Sequence, residues 1–167
     1  MTSDPEITPN VLVNNVGFFK VCSIFKETPE NLQTMLKVNL YPITLLSKWG
    51  LINFKKQNNQ CGLISVSSYS ALRPYTRAGT YGGCKRFDAV FGSLIKKKNV
   101  DSLVLYPGLV TTSMVGNISN WYNTCMPQET ANGTLCNLGL AKYTNGSLIH
   151  TIWAIQIAWT PEYIRNL

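Results

Sequence analysis

Three short apolar runs alternate with longer helical segments along this chain, and this alternation restricts the folds that are available to it. The runs comprise residues 11–13, 62–67 and 100–106, and each contains valine or isoleucine and is followed by polar or turn-forming residues. Runs of this length that are bounded by turn signals are typical of buried β-strands. Because strands that alternate with helices form parallel βαβ units, the sequence predicts an α/β fold with a parallel sheet.

The segments between these runs carry helix signals. The tripeptide Thr28-Pro29-Glu30 combines an N-cap residue, a first-turn proline and an early acid. It predicts a helix over residues 29–56, with a kink at Pro42. Similar signals predict the remaining elements: helices over residues 78–97 and 127–143, and a fourth strand over residues 147–152.

The two ends of the chain differ in character. Residues 1–10 are polar and contain two prolines, so they are predicted to form a leader. Residues 148–167 are largely apolar and aromatic, and they are expected to cover the core, to bind a lipid tail or to lie on a membrane surface. Because no linker or repeat divides the chain, the sequence predicts a single domain over residues 1–167.

The composition excludes several classes of protein. Hydrophobic residues make up 45% of the chain and charged residues 14%, which is not the composition of a disordered protein. The five cysteines form no Cys-x-x-Cys pair, and His150 is the single histidine. Neither a structural metal site nor a Ser-His-Asp triad is therefore predicted, and His150 is predicted to be structural.

The chain is basic, with a formal net charge of +7. Part of this excess lies in residues 55–56 and 96–98, at predicted helix ends, where cations complement the helix dipole. Attraction to anionic lipid or phosphate is the alternative interpretation. Because no nucleic-acid-binding motif accompanies the charge, nucleic acid is not a predicted partner.

Tyr81 and Lys85 form the most specific chemical motif of the chain. Their spacing of four residues places a phenol and an ammonium on one face of a predicted helix. A nearby cation favours the phenolate, so Lys85 is expected to lower the pKa of Tyr81. A tyrosine adjusted in this way can exchange a proton with a carbonyl or an alcohol near neutral pH.

Further polar motifs follow the predicted strands in order. Residues 14–17, with the sequence Asn-Asn-Val-Gly, follow the first strand, Ser68 ends the second, and the Pro107-Gly108 pair ends the third. Asn39 lies within the first long helix. Because ligands of parallel α/β sheets bind at the carboxyl ends of the strands, these residues are expected to border one crevice.

The order of these motifs resembles the short-chain dehydrogenase/reductase family over about residues 11–115. The amino-acid sequences of residues 14–17 and 144–150 resemble those of one branch of the family, which contains the 17β-hydroxysteroid dehydrogenases and the very-long-chain 3-oxoacyl reductases. The resemblance implies NAD(P)(H)-dependent interconversion of a ketone and a secondary alcohol on a hydrophobic, lipid-like substrate, a 3-oxoacyl chain or a steroid. It also implies a location on the cytosolic face of the endoplasmic reticulum membrane, with peripheral membrane contact, or otherwise in the cytoplasm.

The same resemblance implies roles for individual residues. Tyr81 would be the general acid or base, Lys85 would lower its pKa, and Ser68 would bind the substrate oxygen. Asn39 would hold a water molecule of a proton relay. Contacts with NADP(H) or NAD(H) are implied for the residues that border the strand ends and the nicotinamide: Asn14, Asn15, Gly17, Tyr81, Lys85, Pro107, Gly108 and Thr112.

The chain departs from the family pattern before residue 11. None of the twelve glycines belongs to the family's Gly-rich pyrophosphate-binding turn. The resemblance therefore implies the C-terminal part of a Rossmann-like doubly wound parallel sheet, lacking the first βαβ units. The strand over residues 11–13 is expected to form an apolar edge that a homo- or hetero-oligomeric partner covers. The alternative function is a truncated, catalytically inactive structural or interaction subunit.

Overall fold

The structure is a computed structural model that describes residues 8–73, 75–95, 98–115 and 123–161. Its elements in chain order are β1 (Val11–Asn14), α1 (Pro29–Lys55), β2 (Cys61–Val66), α2 (Gly79–Leu94), β3 (Val100–Leu105), β4 (Leu109–Val110), β5 (Thr124–Cys125), α3 (Pro127–Asn137), β6 (Tyr143–Thr144) and α4 (Leu148–Trp159). Within these ranges, four parallel strands form a sheet in the order β1-β2-β3-β6, and β4 pairs with β5. The predicted α/β fold with a parallel sheet is confirmed.

Strands β2 and β3 form the centre of the sheet. They pair in parallel along their whole length, from Cys61 opposite Val100 to Val66 opposite Leu105. Leu63 is fully buried between the flanking layers, as expected for a strand that is covered on both faces. Both predicted strands are confirmed. Strand β2 begins and ends one residue earlier than the sequence predicts, and β3 ends one residue earlier.

Strand β1 lies at one edge of this sheet. It pairs with β2, and no other strand of the described residues pairs with it. Val11 and Val13 are 45% and 47% exposed. The apolar edge that the sequence predicts is therefore present, and an edge of this kind is a template for pairing with another strand.

Helix α1 begins where the capping signal predicts. The Thr28 hydroxyl accepts a hydrogen bond from the Asn31 N–H, and Pro29 occupies the first turn. The helix ends at Lys55, and Pro42 lies inside it without ending it. One helix of 27 residues therefore connects β1 to β2.

The predicted strand over residues 147–152 is wrong. The fourth strand of the sheet is β6, and a helix, α4, begins directly after Ser147. The Ser147 hydroxyl accepts a hydrogen bond from the His150 N–H at 3.1 Å, which is the bond of a helix N-cap. The apolar run continues for twelve helical residues, and tertiary packing outweighs the strand preference of its isoleucines.

Helices α2 and α3 are shorter than the sequence predicts. Helix α3 ends at Asn137, well before Tyr143, and Gly139 follows in the left-handed region with φ of 83°. A glycine in this conformation is a common signal after a helix end. Helix α2 ends at Leu94, and residues 96 and 97 of its predicted end lie outside the described residues.

Helix α4 covers the sheet and also exposes apolar surface. Part of it packs against a buried cluster next to β3, through Trp153, Ala154 and Ile157. Its opposite side is exposed at Leu148, Ile152, Ile155 and Trp159. No helix in the described part of the chain combines the length and the hydropathy that crossing a bilayer requires.

Adjacent glycines in α2 allow a matched test of how this helix packs. A Cβ at Gly82 would lie 2.9 Å from the backbone oxygen of Ser70, whereas one at Gly83 would meet nothing within 4 Å. Gly83→Ala should stabilise the protein by about 0.5–1 kcal/mol because alanine favours a helix. Gly82→Ala should destabilise it by about 1–3 kcal/mol because the backbone at Ser70 must shift. Urea denaturation measures both, and equal effects would contradict this packing.

Candidate active site

A large cavity opens at the carboxyl ends of β1, β2 and β3. Its volume is about 1120 Å³, and most of the side chains that line it are apolar. Most of the site residues that the sequence predicts line this cavity: Asn15, Gly17, Ser68, Tyr81, Lys85, Pro107, Gly108 and Thr112. The structure therefore brings eight predicted site residues to one crevice, while Asn14 and Asn39 lie outside its lining.

Tyr81 lies in the first turn of α2 and faces this cavity. Its ring packs against Phe19, with 4.7 Å between the ring centroids. Burial raises the pKa of Tyr81 to about 12, a hydrogen bond with Ser68 lowers it in part, and the charges of Asp88 and Cys84 raise it further. The prediction that Lys85 brings the pKa of Tyr81 towards neutrality is wrong for this arrangement, because the raised pKa of Tyr81 is set by burial and by Asp88.

Lys85 is almost completely buried, and its ammonium is already paired. Nζ donates to the Val66 carbonyl oxygen and to Oδ2 of Asp88, both at 2.9 Å. The side chains of Lys85 and Asp88 are only 4% and 3% exposed. Nζ lies 5.8 Å from the centroid of the Tyr81 ring. Asp88 is not among the predicted site residues, although an acid three residues after a lysine on one helix is a usable signal of an ion pair.

Ser68 combines two contacts. Its hydroxyl caps the short 3-10 helix over Tyr69–Ala71 by accepting a hydrogen bond from the Ser70 N–H at 3.2 Å. It also forms the hydrogen bond with Tyr81 that partly offsets the effect of burial on that pKa. Ser68 lies two residues beyond the end of β2.

Asn39 binds the loop after β1 through hydrogen bonds to the backbone of Phe18. Its Oδ1 accepts from the Phe18 N–H at 3.2 Å, and its Nδ2 donates to the carbonyl oxygens of Phe18 and Met35 at 2.9 and 2.8 Å. A Cβ at Gly17 would lie 3.2 Å from Asn39 Oδ1 and 3.4 Å from Lys85 Nζ. Glycine therefore keeps the space in front of the Lys85 ammonium open, and the Asn39 side chain is committed to backbone contacts.

Asn14 links strand β1 to helix α1. Its Nδ2 donates to the Ser47 hydroxyl at 2.9 Å, and Asn14 is only 7% exposed. Asn14, Asn39 and Asp88 also line a cavity of about 20 Å³, which has room for a single water molecule. Oδ1 of Asn14 and Oδ1 of Asp88 are buried acceptors without a hydrogen-bond partner among the described residues. A water molecule in this cavity could donate to both.

His150 fixes the wall of the cavity that Pro107 and Gly108 form. It is fully buried, and its Nδ1 and Nε2 lie 3.2 Å from the carbonyl oxygens of Asn145 and Leu109. A Cβ at Gly108 would approach the His150 ring to 2.8 Å, so only glycine allows this contact. His150 thus has the structural role that the sequence predicts, and it joins the turn before α4 to this wall.

Most of the residues implied to contact the nicotinamide of a dinucleotide line one cavity. Gly17 and Gly108 line it together with Ser68, Tyr81 and Lys85. Ser68 and Tyr81 offer hydroxyl groups, and Lys85 offers an ammonium, at this cavity. No group of three or more His, Cys, Asp or Glu side chains that could hold a metal ion occurs in the described ranges.

A parallel α/β sheet with Ser68 after a strand end, and with Tyr81 and Lys85 on the next helix beside the same cavity, is typical of Rossmann-like oxidoreductases. The sequence matches the short chain dehydrogenase family over residues 8–123. The chain belongs to this family.

Two curated relatives extend the similarity beyond these residues. The chain is 26% identical to the human "Inactive hydroxysteroid dehydrogenase-like protein 1", with 92% of this chain and 49% of the relative covered. It is 22% identical to the human "Very-long-chain 3-oxoacyl-CoA reductase", with 92% and 52% covered. The chain thus spans about half the length of the curated relatives that it matches.

Solved structures show the same fold. A 7beta-hydroxysteroid dehydrogenase structure superposes with a TM-score of 0.82 at 18% identity, covering 93% of this chain and 66% of that one. A 3-ketoacyl-(acyl-carrier-protein) reductase from Brucella melitensis, complexed with NADH, gives a TM-score of 0.70 at 18% identity, covering 77% and 59%. The Rossmann-like class of the sheet is therefore confirmed.

The raised pKa of Tyr81 should make stability depend on alkaline pH. Its folded value of about 12 lies above the ordinary value of 10.0, so the unfolded state releases this proton first as the pH rises. The contribution of Tyr81 is complete below about pH 10 and is lost as the pH approaches 12. In Tyr81→Phe, the free energy of unfolding should fall less over this window.

Urea denaturation at a series of pH values measures this difference. The values near neutral pH serve as the reference, because there both proteins bind the same number of protons at this position. Identical alkaline falls in the parent protein and in Tyr81→Phe would contradict the role of Tyr81.

Proposed function

We propose that this chain carries the proton-transfer and substrate-binding side of an NAD(P)(H)-dependent oxidoreductase that interconverts a ketone and a secondary alcohol. One observation carries the proposal: the hydrogen-bonded Ser68–Tyr81 pair, with Lys85 one helical turn further on, faces a cavity of about 1120 Å³. A neutral phenol beside a second hydroxyl is an arrangement suited to binding and protonating a carbonyl oxygen.

The chain's own residues would act on the substrate oxygen. Ser68 would donate a hydrogen bond to that oxygen and orient it. Tyr81 would transfer its proton to the same oxygen as the alcohol forms, and it would accept a proton in the reverse direction. A bound reduced nicotinamide would supply the hydride for the carbonyl carbon.

The nicotinamide side of NADP(H) or NAD(H) would lie against residues on both sides of the cavity. Asn15, Gly17 and Lys85 would border it on one side, and Pro107, Gly108 and Thr112 on the other. The similar ketoacyl reductase is described as complexed with NADH. The choice between the two dinucleotides depends on groups near the adenosine ribose, which these residues do not contact.

A hydrophobic, lipid-like ketone is the substrate class that fits this cavity best. Apolar side chains such as Val21, Met114 and Trp153 line it. The names of the similar proteins refer to 3-oxoacyl and hydroxysteroid compounds. Delivery of such a substrate from the cytosolic face of the endoplasmic reticulum is consistent with the exposed apolar side of α4.

A second candidate function is a non-catalytic subunit. Two observations favour it: the buried Lys85–Asp88 pair occupies the ammonium, and one of the curated relatives is described as inactive. In this candidate the apolar edge at β1 would bind a partner polypeptide, and the cavity would keep only a binding role.

Tyr81→Phe separates the two candidates. If Tyr81 is the proton donor, consumption of NADPH or NADH with a 3-oxoacyl thioester or a steroid ketone should fall about 10²–10⁴-fold, with dinucleotide binding retained. Fluorescence of the reduced dinucleotide reports both quantities. The assay uses protein isolated from the organism that makes it, so that any polypeptide supplying the adenosine-binding side stays present, and also uses the 167-residue chain alone.

Tyr41→Phe is the matched control, because Tyr41 lies on α1 and its side chain is 64% exposed. It should leave turnover unchanged. Turnover in the parent protein that survives in Tyr81→Phe would overturn the proton-donor role. Absence of turnover in every preparation of the parent protein would instead support the non-catalytic subunit.

A further inference from the structure

Lys85 and Asp88 form a buried ion pair directly behind the proton-transfer group. Lys85 Nζ lies 2.9 Å from Asp88 Oδ2, and both side chains are almost fully shielded from solvent. Two of the three N–H donors of the ammonium are taken, one by this carboxylate and one by the Val66 carbonyl oxygen. The positive charge that faces Tyr81 is therefore largely balanced by a negative charge on the same helix.

Among the described residues, three titratable groups of α2 lie around Tyr81. Asp88 and Cys84 raise the pKa of Tyr81, and Lys85 Nζ lies 5.8 Å from the centroid of its ring. The loop after β1 faces it with the ring of Phe19, and the end of β2 faces it with the hydroxyl of Ser68. Two further phenols, Tyr69 and Tyr75, line the same cavity.

The protonation of Tyr81 is consequently sensitive to one carboxylate. In a buried environment the interaction between two charges is stronger at a given distance than in water, because the effective dielectric constant is lower. A negative charge at Asp88 disfavours a second negative charge on the Tyr81 oxygen, whereas an unbalanced ammonium at Lys85 would favour it. Burial is the main cause of the raised pKa of Tyr81, and the charge of Asp88 raises it further, in agreement with the first effect.

We propose that Asp88 is a positioning residue that holds the Lys85 ammonium in place and opposes ionisation of the Tyr81 phenol. The proposal rests on the proposed function and refines it, because it names the group that controls how strongly Tyr81 holds the proton that it exchanges with the substrate oxygen. Asp88 itself touches neither the large cavity nor the substrate position, and it acts through Lys85.

The test follows the ionisation of Tyr81 in the 167-residue chain without any cofactor. Tyrosine that is isotopically labelled at the ring carbon bearing the hydroxyl reports ionisation by NMR, and Tyr81→Phe assigns the signal. Asp88→Asn should raise the ratio of phenolate to phenol of Tyr81 at a fixed alkaline pH by about tenfold, the change that one pKa unit produces. Measurements are restricted to pH values at which the amide spectrum remains that of the folded protein.

A variant of opposite sign distinguishes an electrostatic effect from a structural one. Lys85→Met leaves the carboxylate without its counter-ion and should lower the ratio of phenolate to phenol of Tyr81. A disturbance of packing would move both variants in the same direction. Asp101→Asn removes the same charge at the opposite end of β3, where no predicted site residue lies, and should leave the Tyr81 signal unchanged.

A double variant keeps the test decisive if Asp88→Asn does not fold. Lys85→Met combined with Asp88→Leu leaves no buried charge, and its ratio of phenolate to phenol should exceed that of Lys85→Met alone. An equal or lower ratio in the double variant, or no rise in a folded Asp88→Asn variant, would overturn the proposal. Because these readouts need no turnover, absence of turnover would overturn only the proposed function.

Discussion

Lys85 joins helix α2 to the end of strand β2 through hydrogen bonds that run in both directions. Its ammonium donates to the Val66 carbonyl oxygen at 2.9 Å, and the Ser67 hydroxyl donates to the Lys85 carbonyl oxygen at 2.6 Å. This junction determines where the preceding turn of the helix lies, and that turn holds Tyr81 against Ser68. The proton-transfer groups are therefore positioned by the contact between a helix and a strand, and not by their own side-chain rotamers alone.

Burying the ammonium of Lys85 requires a counter-charge, and Asp88 supplies it. Removing one partner of such a pair typically costs about 3–5 kcal/mol, because the other charge remains buried and unpaired. The pair is thus important for the helix–strand contact as well as for the chemistry of the site. The same carboxylate that makes a buried Lys85 tolerable also disfavours ionisation of Tyr81, so stability and proton affinity depend on one interaction.

The sequence predicts those parts of the structure that depend on local signals. The three apolar runs predict β1, β2 and β3, and the Thr28 cap predicts the start of α1, because each signal acts within a few residues. The strand predicted at residues 147–152 is wrong because its β-branched residues belong to a helix whose packing partners are distant in sequence. Burial, which raises the pKa of Tyr81 against the predicted effect of Lys85, is likewise a tertiary property. The burial of Tyr81 arises because the loop after β1 and the end of β2 pack against the first turn of α2.

The exposed edge of the sheet and the large cavity share a residue. Val13 is 47% exposed on strand β1, and it also lines the cavity that Tyr81 faces. A strand that pairs with β1 would therefore border the space available to a dinucleotide, whether it comes from the same polypeptide or from another one. If pairing at β1 changes the affinity of the cavity for a ligand, that ligand changes the affinity of the edge for its partner by the same factor, because coupling between two binding events is reciprocal.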